Sequence, residues 1–212
     1  MSIKIFVTDE SHLPYADMIC TALEESAKKR GTGIAKRSPD YIRQKIAEGK
    51  AVIALEDSNF VGFCYIETWS HEQYVANSGL IVLEKYRKTG IGRQIKQKIF
   101  ELSRKKFPNA KIFGITTSLA VMKINSELGY EPVTFSELTQ DDAFWAGCKS
   151  CVNYDILMRQ NRKMCLCTGM LYDPKVEQKP ENNRFDFLKK LDVLKRLKRI
   201  KQVLFLQKEE VA

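Results

Sequence analysis

The sequence predicts a mixed α/β fold of the α+β type, with a mostly antiparallel central sheet flanked by helices and a C-terminal helical extension. Three observations carry this expectation. Apolar, β-branched and aromatic runs at 51–56, 60–69 and 74–83 follow one another with only short polar turns between them. A basic, glycine-bearing turn at 87–92 then gives way to three- and four-residue apolar periodicity. Past residue 172 the chain becomes polar and then densely basic. The expected organisation is one domain over 1–172, a linker over 173–183 and a basic helical extension over 184–212.

Each element has its own signal. Ile3–Val7 reads as a buried strand, and Ser11 to about Lys28 as a helix with Ala16, Ile19, Cys20, Leu23 and Ala27 on one face. Residues 30–37 read as a basic loop. Ser38-Pro39-Asp40 supplies a cap, a proline at the first helical position and an early acid, which predicts a second helix to about Glu48. Ala51–Glu56 and Phe60–Trp69 pair as a hairpin across Asp57-Ser58-Asn59, and Tyr74–Leu83 adds a third strand. The helix after the glycine turn buries Ile91, Ile95, Ile99 and Leu102 and ends on Arg104-Lys105-Lys106, where positive charge suits the helix dipole. Lys111–Thr116 reads as a strand and Ser118–Leu128 as a helix capped by Gly129. Tyr130–Phe135 and Asn153–Met158 read as further strands, with a short helix at Asp141–Trp145 between them.

Composition narrows the function classes. The 212 residues are 44% apolar and 29% charged, which describes a globular chain. The net charge of +9 favours phosphate-bearing partners: nucleotides, coenzymes, nucleic acid or an anionic membrane. No run of ~18 apolar residues predicts a membrane span, and the first residues lack the pattern of a secretory signal. The six cysteines of a cytoplasmic chain are expected to be reduced thiols.

The turn Arg87-Lys88-Thr89-Gly90-Ile91-Gly92 carries the chemistry. A helix N-terminus presents free N–H groups and about half a positive charge, and glycines let a phosphate approach the backbone. Taken alone, the turn reads either as a diphosphate cradle or as an ordinary strand-to-helix turn with surface bases. The P-loop spacing is absent, and Ile95 stands where a dinucleotide fingerprint needs a third glycine or alanine.

Two segments together resemble a known family. Val82-Leu83-Glu84-Lys85-Tyr86-Arg87-Lys88-Thr89-Gly90-Ile91-Gly92 resembles the acyl-CoA signature of the GCN5-related N-acetyltransferases (GNAT). Glu127-Leu128-Gly129-Tyr130-Glu131-Pro132 resembles that family's second motif, at a fitting separation. The resemblance covers roughly residues 3–158 and implies a sheet splayed at the strand before the glycine turn. It implies acetyl-CoA or another acyl-CoA as co-substrate. Leu80, Ile81 and Val82 would bind the pantetheine arm as an added strand. Arg87, Lys88, Thr89, Gly90, Ile91, Gly92 and Arg93 would surround the diphosphate, and Ser118 and Asn125 would lie near the thioester sulfur.

The implied reaction is attack of an amine on a thioester. The amine must be deprotonated and the departing thiolate protonated or hydrogen-bonded. The family's usual base positions hold Ala76 and Ser78, and its usual tyrosine acid position holds Asn125. His71, Glu72 or Glu67 acting through water is one substitute, and deprotonation in solvent is the other. His71, Glu72 and Asn125 are therefore the candidate catalytic residues. Arg30, Lys36 and Arg37 in the basic loop suit a carboxylate-bearing acceptor, because guanidinium forks match carboxylates. The lead acceptor is a small acidic amino acid such as glutamate, and Phe144–Leu157 resembles a bacterial subgroup that acylates glutamate. Rival readings are a non-catalytic acyl-CoA-binding module, an acetyltransferase of protein or polyamine amines, and a nucleic-acid binder, the last resting only on charge and disfavoured.

Cys148, Cys151, Cys165 and Cys167 read either as a four-sulfur zinc site or as small buried hydrophobes, with no metal as the expectation. The 185–206 helix reads as docking on its own domain or on a second copy of the chain, or as contacting a membrane surface or nucleic acid.

Overall fold

The computed structural model describes residues 2–30 and 36–177. Met1–Pro174 form one compact unit and Lys175–Ala212 a second. The expected linker begins with one helical turn, Pro174–Glu177. The rest of the expected linker, the expected basic helix and residues 31–35 of the expected basic loop lie outside the described residues.

Among the described residues the sheet has seven strands: β1 (Ile3–Val7), β2 (Ala51–Glu56), β3 (Asn59–Trp69), β4 (Tyr74–Val82), β5 (Lys111–Thr116), β6 (Glu131–Val133) and β7 (Thr168–Tyr172). Their spatial order is β1-β2-β3-β4-β5-β7-β6. Every neighbouring pair is antiparallel except β4–β5, which is parallel. The α+β expectation and the early meander both match.

The helices cover both faces. Helices α1 (Ala16–Arg30) and α2 (Pro39–Ala47) pack Ile19, Leu23, Ile42 and Ile46 against Ile53, Phe63 and Tyr65. Ser38 caps α2 by accepting from the Tyr41 N–H. On the opposite face, α3 (Ile91–Lys106) lays Ile91, Ile95 and Ile99 on Val52, Cys64, Ile66 and Ile112. Helix α4 (Leu119–Glu127) is capped by Ser118 and ends at Gly129, whose φ of +86° needs a glycine. The short helices α5 (Asp142–Ala146) and α6 (Tyr154–Arg159) help close a third apolar cluster around Phe113, Trp145 and Leu157.

Three expectations need correction. β1 is an edge strand, not a buried one: it pairs only with β2, and Phe6 and Val7 remain 38% and 37% exposed. Asn153–Met158 is helix α6, not a strand. The Leu157 N–H bonds back to the Asn153 carbonyl, and Arg159 pairs with Asp155 one turn away. The strand that fills the sheet there is β7, whose Met170, Leu171 and Tyr172 are buried. Finally, the strand expected over Tyr130–Phe135 shrinks to Glu131–Val133, because Thr134 and Glu137 form a capping box that turns the chain at Phe135.

One irregularity positions everything that follows. In the β3–β4 ladder Phe63 faces Ile81 but Tyr65 faces Ser78, so β4 carries an extra residue in a bulge. Gly79 sits there with φ +65°, and a Cβ on it would lie 2.4 Å from the Tyr65 ring. Gly79→Ala should therefore destabilise the protein by about 2–4 kcal/mol, from left-handed strain plus overpacking. Gly114→Ala, whose Cβ meets nothing closer than 4.0 Å, should cost under about 1 kcal/mol. Urea unfolding of both variants checks the contrast.

Candidate active site

The parallel β4–β5 pairing is short. It runs from Tyr74↔Lys111 to Ala76↔Phe113 and stops. Beyond that vertex Asn77–Val82 and Gly114–Thr116 diverge, and a cavity of about 560 Å³ opens in the wedge. That volume lies in the range of small-molecule sites.

The α1–α2 side of the cavity carries a buried ion pair. Arg37, just before α2, donates from Nη2 to Glu67 Oε1 at 3.1 Å and from Nε to the Tyr65 hydroxyl at 2.8 Å. The Tyr41 hydroxyl also donates to Glu67 Oε1. Glu67 is only 5% exposed, and burial there is tolerable because its charge is matched. Burial alone would lower the Arg37 pKa, but Tyr65 and Glu67 more than offset it and hold the guanidinium charged. Burial and then the Glu67 charge push the Tyr41 phenol above its ordinary value, so it stays a hydrogen-bond donor. Lys36 stands at the rim, largely exposed, with Glu24 at 3.7 Å.

The α3–α4 side carries an unbalanced charge. Lys96 is 2% exposed, yet it lines the cavity. Its Nζ reaches Asn77 Oδ1 at 3.5 Å and lies 5.3 Å from the centre of the Tyr130 ring. Asn77 is itself fixed by donating to Ser103 Oγ and accepting from the Tyr130 hydroxyl. No carboxylate pairs with Lys96 among the described residues, and burial lowers its pKa from 10.5 to about 8. Asn125, on α4, lies under Gly114, the first β5 residue past the vertex. Its Nδ2 donates to the Met170 sulfur at 3.7 Å, and its Oδ1 is buried without a partner.

At the open end of β4 the helix α3 begins without a capping side chain. Gly90 holds φ +89°, a conformation that suits glycine, with open space where a Cβ would project. Arg87 is tied to the Val82 carbonyl, Thr89 to the Tyr86 carbonyl, and Arg93 to Glu127, while Lys88 is exposed.

Residues 20–121 match the model of the acetyltransferase (GNAT) family. That segment is just under half of the chain. The chain's fold resembles an acetyltransferase of the GNAT family from Staphylococcus aureus Mu50, with TM-score 0.59 and 12% identity over 82% of this chain and 99% of that one. It also resembles N-acetylglutamate synthase from Neisseria gonorrhoeae complexed with coenzyme A and N-acetyl-glutamate, with TM-score 0.57 and 15% identity. That match covers 82% of this chain and 35% of the other, so this chain spans about a third of the synthase's length. A phosphinothricin acetyltransferase from Sinorhizobium meliloti in complex with acetyl-CoA aligns with TM-score 0.54 at 14% identity, over 82% and 89% of the two chains. At these identities the likeness is one of fold. No curated protein matches the chain.

The fold brings some of the residues expected from the sequence together and leaves others apart, and the cavity separates the two groups. Leu80 lines the cavity, and Ile81 and Val82 continue along the β4 edge that β5 has left. Lys36, Arg37 and Asn125 line it as well. His71 and Glu72 do not: they occupy the exposed β3–β4 turn with φ +54° and +62°. Ser118 is spent as the α4 cap, and Arg30 ends α1 with its side chain outside the described residues. Tyr41, Tyr65 and Lys96 also line the cavity, and the sequence reading misses them. For Lys96 a signal exists, since it falls on the same helical stripe as Ile95 and Ile99. The four cysteines 148, 151, 165 and 167 are free thiols, and no cluster of three or more His, Cys, Asp or Glu among the described residues is arranged to hold a metal. The hairpin that would have set their spacing is replaced by α6 and β7.

The depressed Lys96 pKa has a stability consequence. Between about pH 8 and 10.5 the unfolded chain holds a proton that the folded chain has released, so stability rises with pH through that window. Below pH 8 the buried charge costs up to about 3 kcal/mol. Lys96→Met should therefore raise Tm near pH 7, and the gain should shrink as the pH approaches 10.5. Thermal melts of both proteins across that range check it.

Proposed function

We propose that the chain transfers an acyl group, acetyl in the simplest case, from acyl-CoA to the primary amine of a small acidic amino acid such as glutamate. The observation that carries this reading is the wedge: a β4 edge that no described strand pairs leads from an uncapped helix N-terminus to a buried polar vertex. The residues present fit coenzyme A. Amides at Gly90–Arg93, with Lys88 and Arg87 beside them, suit the diphosphate. The β4 edge at Leu80–Val82 suits the two amides of the pantetheine arm. Asn125, whose amide already donates to a sulfur, suits the thioester.

The α1–α2 side would receive the amine. Glu67 is the carboxylate inside the cavity and would take the amine's proton, the part that the sequence alone assigns first to His71 or Glu72. Among the described lining residues, Arg37 is neutralised by the buried Glu67, whereas Lys36 makes only an exposed contact with Glu24 at 3.7 Å that a substrate carboxylate could replace. Trp69 and Phe144 would flank the acceptor's aliphatic portion. The fold likeness to a synthase described with coenzyme A and N-acetyl-glutamate supports the same acceptor class. Free thiols suit a reducing compartment such as the cytoplasm. No described helix is long and apolar enough to cross a membrane. A second copy docking through the basic C-terminal helix falls outside the described residues.

Two outcomes test this. Gly92→Glu is the clean variant at the turn: a Cβ there meets Val82 at an ordinary 3.6 Å, so the fold survives while a carboxylate faces the diphosphate. Calorimetric binding of coenzyme A should fall by at least ~100-fold; an unchanged affinity removes the cradle. Lys36→Ala should raise KM for L-glutamate about tenfold and leave KM for an uncharged amine unchanged, measured by thiol release. Equal effects on both amines would exclude an acidic acceptor.

A further inference from the structure

We propose that Lys96 is the acid of this active site, its ammonium protonating the coenzyme A sulfur as the acyl group leaves. The inference rests on the acyl-CoA reading above and extends it to a residue outside both family signatures quoted from the sequence.

The placement is geometric. The β4–β5 wedge closes at Ala76 and Phe113, and the first residue past the vertex on each strand is marked by a buried polar group from below. On the β5 side Asn125 lies under Gly114. On the β4 side Lys96 bonds Asn77. A pantetheine arm entering from the α3 N-terminus and running along the β4 edge ends at this vertex. Gly92 lies against Val82 and Lys96 against Asn77, so α3 runs back along β4 and carries Lys96 toward the reacting end. Asn125 can donate a hydrogen bond to sulfur but has no proton to give at neutral pH. Lys96 has three N–H groups, and among the described residues they meet only the long bond to Asn77 and the face of the Tyr130 ring.

The surroundings keep it able to give a proton. The groups facing it among the described residues are the Cys64 thiol from β3, the Asn77 amide from β4, itself held by Ser103, and the Tyr130 ring beyond α4. Burial pushes Cys64 up to about 11 and Tyr130 well above its ordinary value, so both are neutral near pH 7. With a pKa of about 8, Lys96 is close to a thiol's ordinary ~8.5, where transfer is nearly balanced. Glu67 and Lys96 thus stand on opposite faces of the sheet, one for the amine's proton and one for the sulfur's.

The step balances. The neutral amine nitrogen forms a bond to the thioester carbon, and the C–S bond breaks with its electron pair passing to sulfur. Sulfur takes a proton from the Lys96 ammonium, the new amide nitrogen gives one to Glu67, and water restores both groups. The net change is amine plus thioester to amide plus thiol.

The test compares wild type with Lys96→Met and Lys96→Arg, using acetyl-CoA and an amino-acid panel led by L-glutamate. Coenzyme A affinity should stay within about threefold in both variants, showing an intact site. Thiol release should fall at least ~100-fold in Lys96→Met, and the alkaline limb of kcat/KM expected for wild type near pH 8 should be absent from it. Lys96→Arg, which keeps the charge but holds its proton, should stay slow. Restored turnover in Lys96→Arg, a loss under tenfold in Lys96→Met, or a surviving alkaline limb would overturn the acid role. So would a wild type that binds acetyl-CoA but releases no thiol with any amine. A wild type that does not bind coenzyme A overturns the coenzyme reading itself and this inference with it.

Discussion

The site depends on where one pair of strands stops bonding. β4 and β5 hold together for three residue pairs and then part, leaving backbone donors and acceptors on β4 without the neighbour a central strand normally has. An unpaired edge inside a sheet is costly unless something fills it, since buried amides and carbonyls demand partners. The bulge at Gly79 is part of the same arrangement. It lets β4 stay in register with β3 while turning its other edge away from β5. The gap is thus built into the chain's hydrogen-bond pattern, and an extended ligand with amides of its own is the natural complement.

That gap also links two environments that a continuous sheet would keep apart. Above it lies the Arg37–Glu67 pair with its two tyrosines, charge-balanced and ordered. Below it lies a lysine with no counterion among the described residues. A fold selected for stability alone would place an apolar residue at position 96, where Ile95 and Ile99 show what the stripe prefers. The departure from that preference sits where the cavity reaches both faces of the sheet.

Much of this is legible in the sequence. The meander, the Ser38-Pro39 cap, the uncapped glycine turn and the α3 stripe follow local rules of period and turn chemistry, and each lies within a residue or two of its expected bounds. The errors have a common physical origin. Asn153–Met158 contains too few residues for period to separate helix from strand, and tertiary packing of Leu157 decides it. β1 reads as buried because IKIFV is largely apolar, yet edge position is a property of topology. The Glu67–Arg37–Tyr41–Tyr65 cluster joins residues on different elements, most of them more than twenty positions apart, so no local spacing announces it. Lys96 is different, because a lone cation on an apolar stripe is visible to anyone counting threes and fours.

The helix α3 couples the two ends of the cavity in a way that constrains how the gene can change. Gly92 and Lys96 ride on one rigid rod, four residues and therefore about 6 Å of rise apart. Insertion or deletion of a single codon between them would swing the ammonium roughly 100° around the axis, out of the interior and toward solvent, while leaving the glycine turn untouched. Substitutions on the outer surface of this rod are cheap, but its length between those two positions is not free to drift.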